Sequence, residues 1–465
     1  MMNGYAETGM ADREAVFDVF FRPAAYLDFA VAAGLEQAVE YINNLHFDAD
    51  DVAYLRSLGC FGEKFFKRIE NFRFTGDIYA VREGEMVFPY EPLVTVKAPL
   101  FEAQLIETAL LNMINHQTLI ATKAMKMANE TKGGIAEFGL RRAQGPDAGI
   151  YGARASMIGG CVSTSNVLAG KMFGVKVSGT HAHSWVMSFP DELTAFRKYA
   201  ELYPDACLLL VDTYDTLGSG VPNAIKVFDE LKAKGCKPLG IRLDSGDLAY
   251  LSKQARRMLD EAGHSDAKIF ASGDIDEHII ASLNAQGAKI DVWGIGTKLI
   301  TASPNPALGG VYKLAAIRDE NGNWTPKMKI SDTPEKITNP GFKTFYRIYD
   351  SDGKAAADLI ALRGEKFDES KPLTIFHPIE TWKRTTFEKY SMREIPVKVF
   401  EGGRQIYEIP SLEETVAFAA RSKGEFWEEY KRLINPHIYK VDLSDGLYDL
   451  RKSLMLNARR NNPRK

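Results

Sequence analysis

Cysteine is scarce: four in 465 residues, at positions 60, 161, 207 and 236, with no CxxC and no Cys/His spacing between them. That excludes a disulfide framework and a structural zinc site, and it points to a reducing, cytoplasmic setting. Charge of one sign is not in excess. Fifty-eight Lys and Arg against 61 Asp and Glu leave a net charge of −3, which excludes a generally basic nucleic-acid binder but leaves room for a local basic pocket. Long apolar runs are missing; a stretch such as CLLLV at 207–211 is far below the ~20 residues of a membrane span. The first residues, MMNGYAETGMADREAVF, have no basic start followed by an apolar run, so no signal peptide is read there. Neither GxxxxGK[ST] nor a placed GxGxxG occurs, so no P-loop and no dinucleotide fingerprint is present.

What is present is an ordinary globular composition, 45% apolar and 26% charged, long enough for about three domains or for one large barrel and a smaller domain. VFDVFF (16–21) reads as a strand, residues 26–45 as a helix, 72–100 as short strands and 101–129 as a long helix. From Gly134 the rhythm changes. GIAEFGLRRA reads as a strand ending in charge, 156–174 as a small-residue helix, and then apolar strands alternate with amphipathic helices. Strand starts at 207, 238, 268 and 290 are 31, 30 and 22 residues apart, a spacing that suits βα units with strands buried on both faces. The fold class expected is α/β, with a complete or irregular βα barrel over about 134–310; an open doubly wound sheet has the same periodicity. After Pro304 the pattern loosens. GKAAADLIALRGE reads as an exposed strand pair, 425–455 as helix broken near Pro436, and ARRNNPRK as a basic frayed end.

The polar residues of the βα series gather at the C-terminal ends of its strands: Glu137, Arg141, Arg142, His181, His183, Asp212, Asp215, Arg242, Asp244, Asp247, Ser272, Asp274 and Thr297. That edge is where a βα barrel carries its active site. Any one Asp or Ser there also suits a helix cap, but their recurrence at the same edge favours a site. Glycines accompany them, in SGT (178–180), SGD (245–247), SGD (272–274) and GIGT (294–297), and backbone N–H groups at such turns suit phosphate oxygens. Arg141 and Arg142, if extended, point to opposite sides and can hold two anions. Asp244 and Asp247 suit ribose hydroxyls or a Mg²⁺–diphosphate assembly, with capping as the alternative for Asp247. The pair His181 and His183 offers a catalytic or phosphoryl-accepting histidine; a zinc site or a core histidine are the other readings.

EFGLRRAQGPD (137–147), STSNVLAG (163–170), SGTHAHSWV (178–186), IRLDSGDL (241–248) and FASGDIDE (270–277) occur in that order. Together they resemble the nicotinate phosphoribosyltransferase family over essentially the whole chain. The resemblance implies an irregular βα barrel at 126–330, an α/β domain at 1–125 completed by C-terminal segments, and a 331–465 region packing on both. It implies the joining of nicotinate to 5-phosphoribosyl 1-diphosphate, with Mg²⁺, with ATP as co-substrate and with a transient phosphohistidine, in a homodimer whose active sites lie at the interface. His183 falls on the phosphorylated histidine, and His181 on a position with at most a supporting role. Arg141 falls beside the phosphates and the nicotinate carboxylate, with Arg142 next to it, and Phe138 against the pyridine ring. Arg242, Asp244 and Asp247 fall on the ribose and diphosphate–Mg²⁺ contacts. Thr180, Ser272, Gly273, Asp274, Gly294, Gly296 and Thr297 fall among the ribose and phosphate contacts. Asn166 stands where nicotinamide-using relatives carry an aspartate, and a neutral residue there favours the acid. The family's opening DLYxLTM segment carries a tyrosine that stacks on nicotinate. MMNGYAETG matches only the end of it, with Tyr5 on the later tyrosine, so weak nicotinate binding is expected. Quinolinate-type relatives are shorter and lack the histidine element, and a decayed non-enzymatic barrel would have lost the intact Arg, His and Asp positions.

Overall fold

The structure, a computed structural model, describes residues 1–380 and 382–461, so the last four residues of the basic end ARRNNPRK lie outside the described residues. The chain forms two compact units, Met1–Leu119 with Ala307–Lys465, and Ile120–Pro306. No described helix is long and apolar enough to cross a membrane.

The second unit is built on six parallel strands. In spatial order they are Ser163–Thr164, Gly134–Glu137, Val292–Ile295, Lys268–Gly273, Gly240–Leu243 and Leu208–Leu210. The helices Val221–Ala233, Leu248–Glu261 and Glu277–Ala285 each follow a strand. Val227, Phe228, Leu231, Ala255 and Leu259 on two of these helices pack in one core with Leu209, Ile241, Leu243 and Ile269 of the sheet, the two-face burial that makes parallel strands read as continuous apolar runs. The two outer strands share one further segment. On one side the Ser178 N–H donates to the Thr164 carbonyl, and the Thr164 N–H to the Lys176 carbonyl. On the other, the Thr180 hydroxyl donates to the Leu208 carbonyl (3.3 Å) and the Leu210 N–H to His181 Nε2 (3.2 Å). Residues 176–181 thus bond to both outer strands of the sheet, through a seam made partly of side chains.

In the first unit, early and late parts of the chain share one antiparallel sheet. Glu14–Phe21 lies between Val94–Pro99 and Gly310–Arg318, and Asp77–Ala80 pairs with Val397–Glu401. The βα series therefore ends before residue 310, earlier than 330. A second sheet contains Lys343–Tyr349 and Ala355–Leu362. Arg347 of the first of these strands is fully buried and donates to both Asp358 oxygens (3.0 and 2.8 Å), to Glu85 Oε1 (2.5 Å) and to the Met86 carbonyl (2.7 Å).

Several local expectations change. The helix expected over 26–45 is confined to Leu35–Asn44, because Gly34, at φ 97°, breaks the chain before it and Ala30–Val31 pairs as a strand with Met86–Val87. The stretch 156–174 is the end of one helix (Pro146–Ile158), a short strand and a second helix (Val167–Phe173) capped by Asn166. GKAAADLIALRGE holds one almost wholly buried strand, since it pairs on both edges. The strand Lys440–Leu443 interrupts the expected C-terminal helix.

Replacing Arg347 with Met leaves Asp358 buried without its cation. Removing one partner of a buried ion pair costs about 3–5 kcal/mol, so a denaturant titration of the full chain is expected to show a midpoint lowered accordingly. An unchanged midpoint would contradict this.

Candidate active site

The C-terminal ends of three neighbouring strands are joined by side chains. Asp212 follows Leu208–Leu210 and is itself buried. Its Oδ2 accepts the Asp244 N–H (2.9 Å) and the Ser245 hydroxyl (2.6 Å), and its Oδ1 faces His183 Nε2 at 3.3 Å. The next link is Asp244, which accepts from Arg242 Nη2 (2.8 Å) and from the Ser272 hydroxyl, while Arg242 Nε donates to Ser272 Oγ (2.8 Å). Burial opposes the charged form of Asp244, but the Ser272 hydroxyl and the Arg242 guanidinium outweigh it and hold the carboxyl below its usual range. The result is one connected path from His183 through Asp212, Asp244 and Arg242 to Ser272.

The Arg242 guanidinium lies 5.8 Å from the centre of the Phe138 ring, within cation–π reach. Phe138 occupies space that only a glycine at 294 leaves open: a Cβ there would stand 2.8 Å from the ring and 3.3 Å from the Ser272 Cβ. Gly296 borders the Phe138 carbonyl, and Thr297 opens the short helix Thr297–Ile300. Gly273, at φ 121°, ends the strand Lys268–Gly273, and it and the following Asp274 are exposed.

The family profile described as "Nicotinate phosphoribosyltransferase (NAPRTase) family" matches residues 134–357, with N-terminal and C-terminal domain profiles of the same enzyme at 1–115 and 342–451. Nicotinate phosphoribosyltransferase of Bacillus subtilis (strain 168) is 49% identical over 451 residues, spanning 96% of this chain and 91% of that one. The chain belongs to the nicotinate phosphoribosyltransferase family. The crystal structure of human nicotinic acid phosphoribosyltransferase superposes with a TM-score of 0.86 at 31% identity, covering 98% of both chains. A nicotinate-nucleotide pyrophosphorylase from Pyrococcus furiosus shares the fold, at 21% identity and a TM-score of 0.69 over 91% of this chain and 92% of that one.

Of the residues that the family pattern singles out, His183, Arg242, Asp244, Ser272, Phe138 and Gly294 come together as described. Others are engaged differently. Arg141 and Arg142 sit on a 3₁₀ turn, Leu140–Arg142, closed by the Arg142 N–H on the Gly139 carbonyl. The extended geometry that would set them on opposite sides is absent; both are exposed. Asn166 is buried with its carboxamide in use, Oδ1 capping the Ala169 N–H and Nδ2 donating to the Gly149 carbonyl. Asp247 caps its helix through the Tyr250 N–H, the alternative weighed for it above. Tyr5 lies in the first unit, in the helix Met2–Glu7, half-buried against a core that includes Phe65, Phe66 and Phe101. Asp212 was one strand-end aspartate among several. Its link to residue 183 follows from strand order, and only its place after an apolar strand hinted at it.

The two histidines of the GTHAHS segment (179–184) differ in surroundings. His183 begins the helix His183–Met187 and is about a third exposed. His181 is buried, and burial pushes its pKa down to about 4. Protonation at Nε2 would also set an N–H against the Leu210 N–H. Its folded pKa lies below the ordinary histidine value of about 6.5, so its contribution to stability is complete above that pH and is lost as pH falls toward 4. His181→Gln keeps an acceptor for Leu210 without the titration. Its thermal midpoint is expected to fall less than that of the wild type between those two pH values; parallel curves would overturn the assignment.

Proposed function

We propose that this chain transfers the phosphoribosyl group of 5-phosphoribosyl 1-diphosphate to the ring nitrogen of nicotinate, giving nicotinate mononucleotide and diphosphate, with ATP hydrolysis coupled through phosphorylated His183. Family membership supports the transfer. The observation that carries the coupling is the buried Asp212 carboxylate facing His183 Nε2 while the His183 ring stays partly exposed. With Nε2–H donated to Asp212, the lone pair is on Nδ1, and Nδ1 is the phosphoryl acceptor. Nδ1 attacks the γ-phosphorus, the bond to the β-phosphate oxygen breaks, and ADP leaves. Water later takes the phosphoryl group from the histidine and releases phosphate.

In the transfer itself the pyridine nitrogen forms a bond to the anomeric carbon as the carbon–oxygen bond to diphosphate breaks. Phe138 faces the pyridine ring, and Arg141 and Arg142 meet the anionic groups of the substrates. Asp244, held ionised by its neighbours, holds the ribose hydroxyls and favours positive charge developing on the sugar, and Arg242 orients Asp244. Gly273, Asp274, Gly294, Gly296 and Thr297 take the ribose and the 5′-phosphate. Asp244, an ionised oxygen donor at the strand ends, would hold a Mg²⁺ that enters with the diphosphate. The chemistry such a cation would supply is neutralisation of the charge building on the leaving diphosphate. The same reading takes the chain as a homodimer with the active site at the subunit interface, and as cytoplasmic, which its four free cysteines support.

Product formation and ADP release are to be measured together with nicotinate, sugar diphosphate and Mg-ATP, and with nicotinamide in place of nicotinate. His183→Ala is expected to reduce ADP formed per nucleotide from about one to near zero while leaving some ATP-independent turnover. Full ATP-stimulated activity in that variant would refute the coupling; absence of product in the wild type would refute the transfer.

A further inference from the structure

Glu137 ends the strand Gly134–Glu137 and is completely buried. Burial pushes its carboxyl pKa up, against the Thr164 hydroxyl and the Gly139 N–H. One oxygen accepts the Gly139 N–H and the other the Thr164 hydroxyl at 2.6 Å. Both neighbours donate to it. Gly139 offers a backbone N–H, and Thr164 Oγ1 already accepts the Asn166 N–H at 3.0 Å. An acceptor-only group therefore satisfies this position fully, and a carboxylate is that group. On the other side, a Cβ at Gly139 would lie 2.4 Å from the Ile300 Cβ and 2.7 Å from Glu137 Oε1. The start of the Leu140–Arg142 turn is thus gripped between Glu137 and the helix Thr297–Ile300.

We infer that Glu137 is a positioning residue that sets the turn carrying Arg141 and Arg142 against the strand exit at Thr164–Asn166 and the turn at Gly296–Thr297. This rests on the reading of these strand ends as a phosphoribosyl-transfer site. The carboxylate is buried with both oxygens engaged by Gly139 and Thr164, so it acts through the turn that carries Arg141. A glutamine there supplies one acceptor and one NH2, so either it faces the Gly139 N–H with a donor or the Thr164 hydroxyl must turn and lose its own acceptor. Glu137→Gln is accordingly a partial substitute, and Glu137→Ala none.

The test is steady-state kinetics on the full chain for Glu137→Ala, Glu137→Gln, Arg141→Ala and the Glu137→Ala/Arg141→Ala double variant. Glu137→Ala is expected to raise the KM for the sugar diphosphate about tenfold or more with kcat within about threefold, and Glu137→Gln to fall between it and the wild type. The double variant is expected to be no worse than Arg141→Ala alone, the non-additivity of residues acting through one another. A general loss of folded protein would instead lower kcat and leave KM unchanged. A KM within about twofold of the wild type in Glu137→Ala, or effects that multiply in the double variant, would overturn the inference. If Glu137→Ala does not fold, Glu137→Gln and Thr164→Val decide by the same KM criterion. A wild type that forms no nucleotide from nicotinate would instead condemn the reading of the site, so the two failures are distinct.

Discussion

A buried carboxylate, Asp212, organises the candidate site. It accepts two donors from the following strand end, the Asp244 N–H and the Ser245 hydroxyl, and faces His183 with its other oxygen. A buried carboxylate is costly unless its lone pairs are filled, so this arrangement constrains all of its partners together. From Asp244 the constraint passes to Arg242 and Ser272. Parallel register makes this possible, because neighbouring strands of one direction bring their C-terminal ends to one edge.

The histidine pair shows how little spacing says about role. His181 and His183 are two residues apart, yet the first is buried as an acceptor in the seam between Thr164 and Leu208 and the second opens a helix beside Asp212. The seam segment leads directly into that helix, so the residue that joins the outer strands also delimits where His183 stands.

The first unit depends on a different buried charge. Arg347 joins Glu85, from the first hundred residues, to Asp358 in the late part of the chain. Like the sheet in which Glu14–Phe21 pairs with Gly310–Arg318, it is a contact across a long sequence separation, and ordering so much chain carries an entropic cost that the buried pairing offsets.

The sequence by itself determined the parallel βα series, the polar strand-end edge and the family, because apolar strands, glycine turns and strand-end aspartates recur at local spacings that a linear reading detects. It also marked Asp247 as a possible cap, since capping is local. Tertiary structure alone decided that Asp212 partners His183, that Asn166 spends its carboxamide on Ala169 and Gly149, and that Arg141 rides a 3₁₀ turn gripped by Glu137 and Ile300. It also decided that Lys440–Leu443 is a strand beside Ala355–Leu362, where the local pattern read helix. The reason is the same in each case. Which donor meets which acceptor across neighbouring strands depends on sheet order and register, and these arise from long-range packing rather than from local periodicity.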